Sequence, residues 1–237
     1  MASFAEQSSA EHHRNVAAGG PRALVFGASD GLITNASLIL GFAGAATDPG
    51  LIRLAGFAGL AAGAFSMAAG ELVSMQAQRE LLERELAVER EALLSDPEEE
   101  ERELAAIYVA KGLDATLAAD LAKVQMRDPA LALEAHAREE LGIDPAQLGS
   151  PLQAAVVSFA AFAVGAIIPL LPWMFASGKI ATWTSIGASA CAAFGLGAVL
   201  GVFTGRSRIR SGLRSLGVAV LAASATWLIG LAVGVHL

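Results

Sequence analysis

Residues 23–45 read ALVFGASDGLITNASLILGFAGA, a run of apolar and small side chains interrupted by one formal charge, Asp30. At about 1.5 Å of helical rise per residue the run can cross a bilayer core of about 30 Å. A carboxylate in that core is costly unless it faces protein or water, so intramembrane carboxylates usually mark ion or proton pathways. The stretch predicts a membrane span and points to transport.

Four more stretches lack formal charge over spanning length: 54–70, closed by Glu71, then 152–178, 180–205 and 215–235. The 237-residue chain is 54% hydrophobic, and its charges cluster instead of spreading. The expected fold is an all-α integral membrane protein, with five transmembrane helices and a helical acidic cytoplasmic insert between the second and third. Gly and Ala dominate the spans. In water they would make a poor core, but in lipid small residues let helices approach closely. Gly27/Gly31, Gly59/Gly63, Gly197/Gly201 and Gly230/Gly234 have the small-xxx-small spacing and are read as packing positions. Residues 1–20 include Glu6, Glu11, His12, His13 and Arg14 and no apolar core segment, so they are not read as a signal peptide. Cys191 is the single cysteine, which excludes an intrachain disulfide.

The insert, 78–148, holds 18 acidic against 8 basic side chains, a net −10, whereas the remainder of the chain is +3. Arg206, Arg208, Arg210 and Arg214 fall between spans four and five, and Arg14 and Arg22 precede span one. Five spans place these basic regions and the insert on one side, which the positive-inside rule makes the cytoplasm. The N-terminus is therefore expected inside and the C-terminus outside. The expected division is a polar tail over 1–21, spans one and two over 22–77, the insert over 78–148 and spans three to five over 149–237. Within the insert, 75–94 should continue span two as one long helix. Asp96 and Pro97 restart the chain as a second helix with Gly112 past its end. A third helix should start near Asp114, and Asp128 with Pro129 should open a fourth that closes at Gly142. No nucleic-acid partner is expected.

Spacing identifies candidate metal ligands. Glu85 and Glu89 are four apart, Glu100 and Glu103 three apart, and His136 and Glu140 four apart, so each pair projects from one helix face. Converging, they would offer carboxylate oxygens and one imidazole, a set that suits Mn²⁺ or Fe²⁺ better than thiol-seeking metals. The alternative is a solvated acidic surface with Glu80/Arg84 and Glu98/Arg102 as ordinary i,i+4 pairs. Like-charged pairs such as Glu85/Glu89 and Glu99/Glu103 weigh against it, because they repel unless a cation lies between them. In the membrane, Asp30 lies about 12 Å along from Arg22, and Met67 about 21 Å along from Arg53, or about 9 Å from the cytoplasmic face. A carboxylate and a thioether at one depth could hold a partly dehydrated transition metal, the sulfur favouring Fe²⁺ over Mg²⁺ or Ca²⁺. Asn35, with Ser29, Thr34 and Ser66, would add neutral oxygens, and Glu71 falls at the cytoplasmic mouth.

Gly27-Ala-Ser-Asp-Gly-Leu32, Gly63-Ala-Phe-Ser-Met67, the acidic helical insert and Ile168-Pro-Leu-Leu-Pro172 together resemble the vacuolar iron transporter family. The resemblance covers nearly everything from Arg22 onward. It implies export of cytosolic Fe²⁺ and Mn²⁺ in exchange for protons, by a homodimer whose pathway lies at the subunit interface. Asp30 and Met67 match the family's membrane metal residues. Aligned on Pro97 and on Glu140-Leu-Gly, the family's ligand glutamates fall on Glu89, Glu100, Glu103 and Glu140. Three positions depart. A family glutamate in the first insert helix falls on Ala92, leaving Glu85 or Glu91 to substitute. Paired methionines of plant members fall on His136 and Ala137, and a membrane glutamate of plant members falls on Gly59.

The sequence thus predicts a divalent transition-metal transporter, not an enzyme, with no prosthetic group and with Fe²⁺ or Mn²⁺ as the bound and transported ion. Metal and proton would compete for the Asp30 carboxylate. The expected membrane is a prokaryotic plasma membrane first and a vacuole-like membrane second. A membrane-anchored metal sensor or storage protein is the alternative. A ferritin-like di-iron site would need Glu-x-x-His on a pair of helices, and His136 has Leu133 three residues before it. An intramembrane protease would need a buried base, and among the histidines only His236 is near a span, at its extreme end. His12 and His13 are candidate auxiliary ligands.

Overall fold

The computed structural model describes residues 20–45, 48–142, 144 and 149–234; His12, His13 and His236 lie outside them. The described residues form eight helices: α1 (Gly20–Gly44), α2 (Pro49–Ser95), α3 (Pro97–Ala110), α4 (Ala115–Gln125), α5 (Pro129–Glu139), α6 (Pro151–Phe175), α7 (Gly178–Phe203) and α8 (Arg208–Gly234). No strand occurs among them. Five of the helices, α1, α2, α6, α7 and α8, are long and apolar enough to cross a membrane, as expected. The chain divides into two compact units. One contains the described residues up to Glu71 and from Leu152 onward, and the other is Leu72–Pro151.

In the first unit α1 packs against α7 and α8, and α7 against α8. The glycines show how close these approaches are. A Cβ added at Gly31 would lie 2.1 Å from the Phe162 carbonyl oxygen, and one at Gly165 would lie 1.9 Å from that of Ala28. The α1 and α6 backbones therefore touch, a contact that only the absence of a side chain permits. Gly230 likewise meets the Gly41 carbonyl oxygen, at 2.0 Å from an added Cβ. The spacing motif found Gly31 and Gly230 but neither Gly165 nor the partners these glycines meet. Two prolines inside α6, Pro169 and Pro172, remove backbone donors from its ladder. Neighbouring side chains engage the loosened segment: Asn35 Nδ2 donates to the Ala166 carbonyl at 2.6 Å, and Ser185 Oγ to that of Pro169 at 2.7 Å. Ile39, Ile52, Leu170, Trp173 and Ala181 close an apolar cluster beside them.

One boundary differs from the sequence expectation. The last span reads as 215–235, but α8 begins at Arg208, so Arg208, Arg210 and Arg214 ride on its first two turns. Loss of charge marks where hydrocarbon begins, not where a helix begins, and arginine stems can lie along apolar surface with the guanidinium in water.

In the second unit the punctuation falls where the residues place it. Asp96 caps α3 by accepting from the Glu99 N–H at 3.1 Å. Asp114 and Asp128 cap α4 and α5, each accepting at 2.9 Å from the N–H two residues on. Pro97 and Pro129 sit at the first helical positions, where no donor is lost. Gly112, at φ 99°, turns the chain after α3 in a conformation that other residues resist. α3, α4 and α5 pack pairwise around Leu104, Tyr108, Ala118, Ala122 and Ala135, and the Tyr108 hydroxyl donates to Gln125 Oε1 at 2.7 Å. This is a small core for about 80 residues, a size at which a bound metal adds useful stability.

Candidate metal sites

Glu89 from α2, Glu100 from α3 and His136 from α5 each direct one ligand atom into a common space, and these atoms lie within 4.8 Å of one another. Two atoms bound to one ion at about 2.2 Å lie at most about 4.4 Å apart, so a slight contraction would seat a cation. Each of the three spacing pairs contributes one member. Glu85 is half-buried and not part of the trio, while Glu103 and Glu140 are exposed.

The electrostatics of the trio are unfavourable without a cation. Glu89 is 7% exposed, and its Oε1 has no hydrogen-bond partner among the described residues. Burial pushes its carboxyl above the usual carboxylate range; Glu140, Glu100 and Glu103 push the same way, and His136 opposes them. The Glu100 carboxyl is also raised, by burial first, with His136 opposing and Glu103, Glu140 and Asp96 adding to the rise. Exposed Glu103 and Glu140 thus lend their charge to the trio. Among the described residues no Lys or Arg pairs with Glu89 or Glu100.

His136 is fully buried, and both of its ring nitrogens face oxygen. Nδ1 lies 2.9 Å from the Ala132 carbonyl, and Nε2 lies 3.2 Å from the Glu100 carbonyl and 3.6 Å from Glu100 Oε2. A neutral imidazole has a single N–H. We assign it to Nδ1, on the shorter contact, which leaves the Nε2 lone pair against two oxygens. A metal ion at Nε2 relieves that repulsion. The Nδ1–H bond to a backbone carbonyl is the kind of support that orients a metal-bound imidazole.

The solvated-surface reading describes other parts of the unit, with different partners. Arg102 pairs with Glu99 instead of Glu98, and Glu80 accepts from Gln76 instead of Arg84. Arg79–Glu83 and Arg138–Glu134 are exposed i,i+4 pairs at 2.7 Å.

In the first unit Asp30 lies on the exposed face of α1, and Thr34 Oγ1 donates to it at 3.4 Å. Met67 packs beside Ala64, Phe162 and Ala166, with its methyl group 3.4 Å from where a Gly27 Cβ would stand. Gly27 precedes Asp30 by three residues, so Met67 meets α1 about 4.5 Å to the N-terminal side of the carboxylate. Asn35 is fully buried and sits about 140° around α1 from Asp30, against α2 and α6. Its Oδ1 has no hydrogen-bond partner among the described residues and would lie 2.8 Å from a Cβ at Gly59. The structure therefore brings Met67 close to the Asp30 level and turns Asn35 away from it. Glu71 is half-buried at the edge of the unit.

Residues 21–231 match the VIT family. The chain is 30% identical over 207 residues to "Vacuolar iron transporter 1" of Oryza sativa subsp. japonica, covering 87% of this chain and 82% of that one. It is 39% identical over 163 residues to "Vacuolar iron transporter" of Acanthamoeba castellanii, covering 68% and 59%. The Arabidopsis thaliana "Vacuolar iron transporter 1" is 30% identical over 87% of this chain and 83% of its own length.

Proposed function

Because the chain belongs to the VIT family, we propose that it is a divalent transition-metal transporter that moves Fe²⁺ and Mn²⁺ out of the cytosol in exchange for protons. The observation that carries this reading is Asp30: a carboxylate within a membrane span, on a face that a single chain leaves open. Left against lipid it would cost several kcal/mol, so the reading includes a homodimer in which a second copy covers that face. Asp30 offers an oxygen and Met67 a sulfur to a partly dehydrated ion, and a proton competes with the metal for the carboxylate. Glu89, Glu100 and His136 form a cytosolic capture site, which the charge of Glu85, Glu103 and Glu140 enriches in cations. The insert and both basic regions then face the cytosol. Metal uptake by the purified full chain in proteoliposomes, with a pH dye inside, tests the reading. Metal binding without uptake would reassign the protein as a membrane-anchored binder.

Met67→Ala should slow Fe²⁺ uptake about 10-fold and Mn²⁺ uptake much less, since it removes the soft ligand. Equal slowing of both metals would make Met67 a packing residue.

The raised carboxyls give the capture site a pH signature. A carboxyl held above its ordinary value in the folded state binds more protons there than in the unfolded chain, so metal-free stability falls as pH rises from about 4.5 through the raised values. A bound cation reverses the shift, so metal uptake should release protons, and affinity should fall as pH falls. Calorimetry of the full chain with Mn²⁺, in buffers of different protonation enthalpy, measures both effects. Replacing Glu89 and Glu100 together by Gln should weaken binding at least about 10-fold and abolish most proton release, while transport slows without stopping. Unchanged affinity would return these residues to the solvated surface.

A further inference from the structure

Arg206, Arg210 and Arg214 recur every four residues, on one face of α8 and the turn before it. With Ser207 and Ser211 they line a cavity of about 390 Å³ that no Asp or Glu among the described residues enters. Among the described residues none of the three guanidinium groups has an ion-pair partner. Ser211 is 5% exposed. Like charges at i,i+4 repel, and cations near a helix N-terminus oppose its macrodipole. An anion in the cavity would relieve both penalties.

The chemistry of that anion is set by what adjoins it. Arg214 also borders a second cavity of about 170 Å³, between α1, α7 and α8, whose lining includes Leu32, Ile33, Ala193 and Val218. Guanidinium and hydroxyl groups with their aliphatic stems surround the outer space, and mainly apolar groups surround the inner one. A soluble phosphate uses only the first; an amphiphile uses both. We infer that this is a binding site for an anionic phospholipid, with the phosphate held by Arg206, Arg210 and Arg214 and the start of an acyl chain in the α1–α7–α8 crevice. Basic pockets at the end of membrane helices suit such headgroups. The crevice lining also includes Ser29, the residue before Asp30, and the inference needs no transport to be tested.

Thermal unfolding of the purified full chain in a neutral detergent, with added lipid, reads it out. Phosphatidylglycerol should raise the midpoint by about 5 °C, while phosphatidylcholine and glycerol phosphate leave it in place. R206Q/R210Q/R214Q should lose the shift. R208Q should keep it, because Arg208 is as basic but does not line the cavity. Val218→Phe keeps every arginine and narrows the crevice, so it should also lose the shift, and it serves if the triple variant does not fold. An equal shift from phosphatidylcholine or from glycerol phosphate, a full shift in Val218→Phe, or an R208Q loss equal to that of the triple variant overturns the inference.

Discussion

Asp30→Asn should abolish metal–proton exchange, with uptake down at least about 100-fold, the equivalent of about 2.7 kcal/mol at one ligand. The amide keeps the shape of the carboxylate and can still accept from Thr34, but it carries no charge to attract a divalent ion and takes up no proton to exchange for it. Size-exclusion behaviour and thermal unfolding should match those of the parent, because Asp30 is exposed on α1 and holds no part of the α1–α6 contact together. Proteoliposome uptake with Fe²⁺ and Mn²⁺ is the measurement. Parental rates in the variant would remove Asp30 from the pathway and with it the central claim about transport.

The second large effect concerns folding. Gly165→Leu places a side chain where a Cβ alone would stand 1.9 Å from the Ala28 carbonyl oxygen and 2.9 Å from the Leu32 nitrogen. Both obstacles are backbone, so no rotamer change relieves the clash and α1 must leave α6. The Asn35–Ala166 hydrogen bond goes with it, leaving both groups buried without partners. A loss of at least about 3 kcal/mol is expected, enough to remove most folded protein from a detergent extract. Gly187→Leu is the control, since a Cβ there meets nothing within 4 Å. The measurement is the monodisperse fraction by size exclusion, and equal yields for the two variants would contradict the close approach.

The spans were legible because each is a long run of uncharged residues, and the insert because its charge and its Asp-Pro starts stand apart from them. Spacing also found the three helix faces that carry Glu89, Glu100 and His136. It could not say that Glu89 turns inward while Glu85 is only half-buried, because both lie on one face, and which of them is enclosed depends on where α3 and α5 pack. The contribution of the Glu100 backbone carbonyl had no sequence signal at all, since every residue has one. Asn35 was legible as a polar residue in a span, but its direction was not. Its burial against Gly59 and Ala166 follows from which side of α1 meets α2 and α6.

Gly31 and Gly165 have a mechanical consequence. Their backbone contacts leave no slack between α1 and α6, and close-packed surfaces of this kind resist sliding. Any displacement that opens Asp30 first to one side of the membrane and then to the other must carry both helices as a single lever. Relative motion is then confined to softer boundaries, such as the exposed face of α1 where a second copy would meet it. On this view, covalently tethering α1 to α6 leaves turnover intact, whereas tethering α1 to its neighbour across that face stalls it.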